Sequence, residues 1–450
     1  MSILHRRRWL QAAGLSLCGA SMSGWLPALA DQVATSPKRR RHCILLWMSG
    51  GPSQTDTFDM KPGHENGGEF KEIATKVPGI RISEHLPQLA KHTDKMAIVR
   101  SLSTKEGDHG RGTQLMRTGQ PPMGAINYPA IGAALAKELG NIEDELPNYI
   151  SVAPFRGLTN NEIGSGFLGP RHSPLFVNSS GGTNSQLALA SAPATRQEGF
   201  AKLTIDGLDL PSHLNDDRFD KRMDLWRSME TTFLKEHPAA AARSHRTIYE
   251  NAVRLMNSES ADAFDLSQES DELRTAYGRG SFGQGCLMAR RLVERGASFV
   301  EVTLSSSNAG LFGWDTHTNN FEAVKGLSAE LDAGWSTLMT DLEDRGLLES
   351  TTILWMGEFG RTPQINGGAG RDHFPQAWTC AFAGGGIAGG QAYGATTPDG
   401  MHVAEKPTTV HEVLATLCSA LGVEPDTQNV ANTGRPIPIV DGSPIKALLS

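Results

Sequence analysis

The sequence predicts an α/β fold built on a mostly parallel sheet. Three observations carry this. Short unbroken apolar runs have strand length, segments of helical period lie between them, and a helix-rich middle lacks strand-like runs. The runs are Cys43–Met48, Ala97–Val99, Tyr149–Val152, Ser298–Val302 and Thr352–Met356, each read as a buried strand. Leu86–Lys95 and Ile131–Leu139 read as helices. Glu330–Leu348 is amphipathic, with Leu331, Trp335, Leu338, Leu342 and Leu347 on one face, and leads through Glu349-Ser350 into the strand at Thr352. Between about 216 and 294, charged residues interleave with Leu, Met and Phe, which predicts a helical insertion packed on the sheet. Asn178–Thr195, rich in Gly, Ser, Asn and Ala, predicts an irregular surface segment. There are no internal repeats.

The N-terminus reads as an export signal. Arg6, Arg7 and Arg8 precede Trp9, Leu10 and Gln11, close to the twin-arginine pattern. The apolar stretch Ala12–Leu26 is broken by Gly14, Gly19 and Gly24 and ends in Ala28-Leu29-Ala30, a small-x-small cleavage site. It is shorter than the ~20 apolar residues of a spanning helix. The expected organisation is a twin-arginine signal peptide at 1–30, a basic leader at 31–42 containing Lys38-Arg39-Arg40-Arg41, and one domain at 43–450. Such a chain works in the periplasm or outside the cell. It meets the twin-arginine translocation machinery, and the membrane, during export.

The formal net charge of −7 speaks against nucleic acid as a partner. Past the signal, Cys43, Cys286, Cys380 and Cys418 are widely spaced, lack any CxxC pattern and sit among apolar or small residues, so they are read as buried free thiols.

Five constellations carry chemistry. Gly313-Trp314-Asp315-Thr316-His317 places a carboxylate and an imidazole two apart, a spacing that points both the same way in extended chain. Gly357-Glu358-Phe359-Gly360-Arg361 follows the strand Thr352–Met356, where open α/β sheets place their ligands. Gly370-Arg371-Asp372-His373-Phe374-Pro375 puts Asp beside His on a Gly-rich loop. Ser49–Asp59 joins a Gly pair, suited to approach an anion through backbone N–H groups, to the carboxylates Asp56 and Asp59. Asp108-His109-Gly110-Arg111 offers an imidazole and a guanidinium after the strand at Ala97.

Taken in order, these motifs resemble the domain-of-unknown-function 1501 family of exported bacterial proteins, whose core is alkaline phosphatase/sulfatase-like. The resemblance rests on Ser49–Asp59, Gly313–His317, Gly357–Pro363, Gly370–Pro375 and Ala383–Gly390, and spans nearly all of the chain after the signal. It extends to the wider sulfatase-like superfamily. Leu86-Pro87-Gln88-Leu89-Ala90 looks like an early sulfatase helix, and Thr118-Gly119 like the end of the sulfatase nucleophile motif. His109 then falls where those enzymes carry the modified Cys or Ser, Glu358 takes a metal-binding Asp position, and Phe359 replaces its His or Asn neighbour. Gly50 and Gly51 stand where superfamily members place metal-binding Asp residues; because His109 replaces the nucleophile and Phe359 cannot bind metal, neither sulfatase maturation nor a serine/threonine phosphatase mechanism carries over.

The resemblance implies hydrolysis of a phosphate or sulfate ester with a divalent metal ion, whether zinc, manganese or calcium. The implied ligands are Asp315, His317, Glu358 and Asp372 or His373, with Asp56 as a substitute from the loop. Arg111 or Arg361 would steady the anion, and His109 would act as base or covalent nucleophile. The expected partner is an anionic small-molecule or glycan ester. The alternative is a non-catalytic protein that binds anionic glycans or serves surface assembly.

Overall fold

The computed structural model describes residues 41–450 except 123, 125, 142–143, 156, 159–162, 180–198, 209–214, 237–239 and 306–312. The signal peptide, nearly all of the basic leader and most of the irregular segment Asn178–Thr195 lie outside the described residues. No helix among the described residues is long and apolar enough to cross a membrane.

The main sheet contains β1 (His42–Met48), β2 (Met96–Leu102), β3 (Tyr149–Val152), β4 (Leu175–Ser179), β5 (Leu203–Thr204), β6 (Phe299–Leu304), β7 (Thr351–Met356), β8 (Trp378–Gly384) and β9 (Gln391–Tyr393). Their spatial order is β9-β2-β8-β7-β1-β6-β3-β4-β5. The central pairs β7·β1, β1·β6, β6·β3 and β3·β4 are parallel, as is β9·β2. Strand β8 runs antiparallel to both β2 and β7, and β5 antiparallel to β4. The sheet is thus mixed and mostly parallel.

Both faces are covered, which is why β1 reads as an unbroken apolar run. Successive side chains alternate between faces. Ile44, Leu46 and Met48 join one core with Leu287, Leu331 and Trp335, while Cys43, Leu45 and Trp47 join another with Ile131, Leu135 and Leu417. The first layer comes from α6 (Ser281–Glu294) and α7 (Asn320–Asp344). The second comes from α1 (His109–Thr118), α2 (Ile131–Leu139) and α8 (Val410–Ala420). Each fully buried Leu-sized side chain contributes about 1.5–3 kcal/mol.

The helix-rich middle contains α3 (Asp216–Glu236), α4 (Ala240–Met256), α5 (Asp271–Tyr277) and α6. Its last helix is part of the core layer: Cys286, Leu287, Met288 and Leu292 are fully buried. Gly285 lets α6 approach β6 closely, since a Cβ there would stand 2.8 Å from Val302 Cγ1. Arg290, 1% exposed, ties this layer together through Glu269, Glu294 and Asp341.

Two elements differ from expectation. The segment Leu86–Lys95 forms a 3-10 helix at Leu89–Lys95 instead of an α-helix. Its entry is fixed from outside, because the Asp332 carboxylate accepts the N–H groups of Gln88 at 3.0 Å and Leu89 at 2.8 Å. The amphipathic helix α7 starts at Asn320, well before Glu330, because Val324 and Leu327 extend the same buried face. The four cysteines of the domain are buried and free.

Candidate metal centre

The candidate site gathers at the carboxyl ends of the central strands. After β1 the chain turns sharply through Gly50 and Gly51, at φ +106° and +80°. A side chain at Gly50 would place its Cβ 2.4 Å from the backbone N of Asp315, so this turn requires glycine. The turn does bind an anion through its backbone, and that anion belongs to the chain: Gly50 N–H donates to Glu358 Oε1 at 2.8 Å. Glu358 follows β7 and is 1% exposed. Trp314 N–H donates to Ser49 O at 2.9 Å, which lays Asp315 alongside the turn. Gly360–Arg361 pairs antiparallel with His373–Phe374, setting His373 opposite Arg361. His109 opens α1, whose N-cap Asp108 accepts Arg111 N–H at 3.0 Å.

Three imidazoles converge on one carboxylate oxygen. Asp315 Oδ1 lies 3.3 Å from His109 Nε2, 3.1 Å from His317 Nε2 and 3.2 Å from His373 Nε2. His317 Nε2 and His373 Nε2 are 3.0 Å apart. His109, Asp315 and His373 present ligand atoms all within 4.8 Å of one another. Each ring is fixed by its other nitrogen. His373 Nδ1 lies 2.7 Å from Gly107 O, a carbonyl that can only accept, so Nδ1 carries the hydrogen. His317 Nδ1 faces Asp372 Oδ1 at 2.7 Å, and His109 Nδ1 faces Glu358 Oε1 at 2.7 Å. Where a ring is neutral, its Nε2 lone pair points at an oxygen that carries lone pairs of its own; in the metal-free form His109 is protonated and its Nε2–H faces Asp315 instead.

A proton can bridge His317 and His373 but cannot satisfy both ends of that contact and the carboxylate together. A divalent cation between His109, Asp315 and His373 would satisfy these facing atoms together; His317 is not among the residues whose ligand atoms all lie within 4.8 Å of one another. Ligand atoms ~2.0–2.1 Å from one tetrahedral ion stand ~3.3–3.4 Å apart, and each Nε2 lies 3.1–3.3 Å from Asp315 Oδ1. Second-nitrogen hydrogen bonds to a carboxylate or a backbone carbonyl are what orient metal-binding histidines. The donor set, three nitrogens and one oxygen, suits zinc-like ions better than calcium, which takes oxygen ligands. The residues present thus fit a divalent metal.

The remaining candidates are arranged around this cluster. Glu358 and Asp372 stand behind His109 and His317 and hold the rings, so they orient the converging atoms instead of joining them. Asn366 Nδ2 also donates to Asp372 Oδ1, at 3.2 Å. Arg361 is fully buried and donates to Asp315 Oδ1 at 2.6 Å, to Gly51 O at 3.0 Å and to Gly50 O. It clamps the turn and the carboxylate and presents no free face to an anion. Arg111 points away, in a two-point pair with Glu106 at 2.6 and 2.9 Å.

Asp56 lies outside the cluster. It is completely buried and bonded to Arg371 at 2.7 and 2.8 Å and to Asn320 at 2.8 Å. Phe359 packs against both His109 and His373, with ring centroids 5.0 and 4.6 Å away, as an apolar wall. Gly50 N–H, Gly107 O and Asn366, which the sequence did not single out individually, complete the support. Of these, only the Gly pair carried a signal.

Charge balance follows the geometry. Burial lowers the His109 imidazole, but the hydrogen bonds it donates to Asp315 and Glu358 outweigh it and raise the pKa to about 9. Burial would raise the Asp315 carboxyl, yet His109, His373 and Arg361 hold it far below the usual carboxylate range. The His317 contact lowers Asp372. The cluster opens on the His317–Asp372 side, where the side chains are 43% and 55% exposed.

Fold and site together define an α/β protein with a three-histidine, one-aspartate cluster at the carboxyl ends of its parallel strands. Over residues 40–449 the chain matches the family described as "Protein of unknown function (DUF1501)", and it belongs to that family. No curated protein sequence matches it.

Several solved structures are similar. The PsFucS1 sulfatase from a Pseudoalteromonas species is 12% identical, with a TM-score of 0.41, over 90% of this chain and 72% of that one. The phosphonate monoester hydrolase of Agrobacterium radiobacter is 11% identical, with a TM-score of 0.37, over 91% and 77%. The C-terminal periplasmic domain of EcEptC from Escherichia coli, in complex with Zn, is 9% identical, with a TM-score of 0.38, over 92% and 96%.

Proposed function

We propose that the chain is an exported, metal-dependent hydrolase of phosphate or sulfate esters. One observation carries this reading: the Nε2 atoms of His109, His317 and His373 meet Asp315 Oδ1 at 3.1–3.3 Å while each Nδ1 is held by an acceptor. His109, Asp315, His317 and His373 would hold one divalent ion, with Glu358 and Asp372 orienting the rings. When bound, the ion supplies Lewis-acid polarisation of the ester and a lowered pKa for water. Arg361 keeps Asp315 ionised and fixed. Phe359 excludes water from the inner side of the histidines, leaving the His317–Asp372 side for substrate. With both ring nitrogens engaged, His109 serves as a ligand rather than as base or nucleophile, and water is the nucleophile. The export reading rests on the Arg6–Ala30 leader.

The test is hydrolysis of p-nitrophenyl phosphate and p-nitrophenyl sulfate by the purified protein, before and after chelation and zinc or manganese restoration. Chelator-sensitive turnover lost in His373→Ala supports the proposal; turnover indifferent to both contradicts it.

A second reading has its own support. Arg361 is buried and fully engaged, and Arg111 is paired with Glu106, so neither guanidinium is free to steady a transition-state anion. This favours metal-dependent binding of an anionic glycan without turnover. Saturable, chelator-sensitive binding of a sulfated oligosaccharide with no sulfate release would select it.

A further inference from the structure

A cavity of about 550 Å³ lies far from the imidazole cluster. Its walls include Tyr149, the first residue of β3, and Leu175, the first residue of β4. Both strands run parallel to β6 and β1, so the cavity sits at the amino ends of the strands, opposite the histidines. The volume is that of a small-molecule pocket, ~300–1,000 Å³. One wall is apolar, with Leu146, Leu175, Leu255 and Met256.

The charged lining is uneven. Its acids are engaged locally: Asp144 accepts Asn141 N–H at 2.8 Å, Glu145 accepts the hydroxyls of Ser258 and Ser260 at 2.5 and 2.7 Å, and Asp206 accepts Asn178 Nδ2 at 3.1 Å. Lys137 pairs with its neighbour Glu138 at 2.5 Å. Arg171, on the cavity wall beside His172, has no ion-pair partner among the described residues. Burial, followed by the positive charges of Arg171 and Lys137 and against the opposing charge of Glu138, pushes the His172 imidazole down to about 4, so the ring is neutral and Arg171 is the cation at this end of the cavity.

We propose that this cavity binds an amphipathic anion, a carboxylate- or phosphate-headed alkyl chain. The head lies against Arg171 and His172, and the chain lies along Leu146, Leu175, Leu255 and Met256. A guanidinium with no ion-pair partner among the described residues supplies the charge, and the apolar lining supplies chain burial. Specificity is for negative charge at one end and hydrocarbon at the other. The inference is independent of catalysis at the histidine cluster.

The experiment is calorimetric titration of the purified protein with octanoate, decanoate, dodecanoate and dodecyl phosphate, using dodecyltrimethylammonium as the opposite-charge control. Saturable binding should strengthen ~4-fold per added methylene, and the cationic analogue should bind at least tenfold more weakly. Arg171→Glu should weaken dodecanoate at least tenfold, and Ala252→Trp, which enlarges an exposed residue of the cavity lining, should weaken it as well. Melting temperature and metal content should stay as in the wild type, which separates loss of this site from loss of fold or of the metal centre. Absence of saturable binding, equal binding of the cation, or dodecanoate binding unchanged in both variants overturns the proposal.

Discussion

The Nδ1 atom of His109 stands 2.7 Å from Oε1 of Glu358, and the same oxygen accepts the N–H of Gly50 at 2.8 Å. One buried carboxylate thereby holds both the ring that opens α1 and the turn that follows β1. The partners are 249 residues apart, so this link forms only when the fold closes. Glu358→Gln keeps an acceptor but loses the charge. Metal affinity should fall ~10–100-fold while the fold is retained, as read by competition with a chromogenic zinc chelator. Unchanged affinity would remove Glu358 from the site.

Asp315→Asn tests the converging oxygen itself. The substitution keeps the shape, removes the negative charge and leaves Arg361 with a weaker acceptor. Stoichiometric metal should be lost. His373→Ala should do the same, because it removes an Nε2 that stands 3.2 Å from Asp315 Oδ1 and 3.0 Å from His317 Nε2.

Asp56 separates stability from site chemistry. Its pair with Arg371 has both side chains at 0% exposure. Breaking a buried pair from one side costs about 3–5 kcal/mol. Asp56→Ala should shift urea unfolding by that order, while the folded fraction keeps its metal stoichiometry. Metal loss with unchanged stability would instead make Asp56 a ligand. Arg111→Ala removes an exposed pair with Glu106, worth ~0–1 kcal/mol, and should change neither property.

The pH dependence of the metal-free form follows from His109. Its pKa in the folded state, about 9, lies above the ~6.5 of an unperturbed imidazole. The folded state therefore binds the proton more tightly than the unfolded state does. That contribution to stability is fully present below pH ~6.5 and is lost as pH rises through about 9. Melting curves of chelator-treated wild type and His109→Gln should converge across that window. A constant difference between them would contradict the assignment.

Much of this architecture was legible in the sequence, for identifiable reasons. The five apolar runs became five strands of the main sheet, because strands covered on both faces have no polar side to disguise them. Strand β8, with Ala381, Ala383 and Gly384, was not read. Its small residues have little strand preference of their own, and pairing with β2 and β7 holds it extended. Strand β4, with Asn178 and Ser179, was submerged in polar loop composition for the same reason.

The site motifs were visible one by one, but the division of labour among them was not. Asp372 and His373 are neighbours in sequence. The pairing of His373 with Arg361 sends the imidazole inward and leaves Asp372 on the outer side, against His317. Asp56 looked like a ligand because nothing local revealed that Arg371 would neutralise it from 315 residues away. His109 looked like a base or nucleophile because the carboxylates that engage it come from two other strand ends.

The central claim is that His109, Asp315, His317 and His373 hold one divalent ion. The most direct measurement is elemental analysis with X-ray absorption spectroscopy on the purified wild type and His373→Ala. The account predicts about one equivalent of a zinc-like metal, with about three imidazole nitrogens and one oxygen at ~2.0–2.2 Å, and loss of that metal in the variant. A wild type that binds no metal after zinc reconstitution, or a variant that retains a full equivalent with an unchanged spectrum, would contradict it.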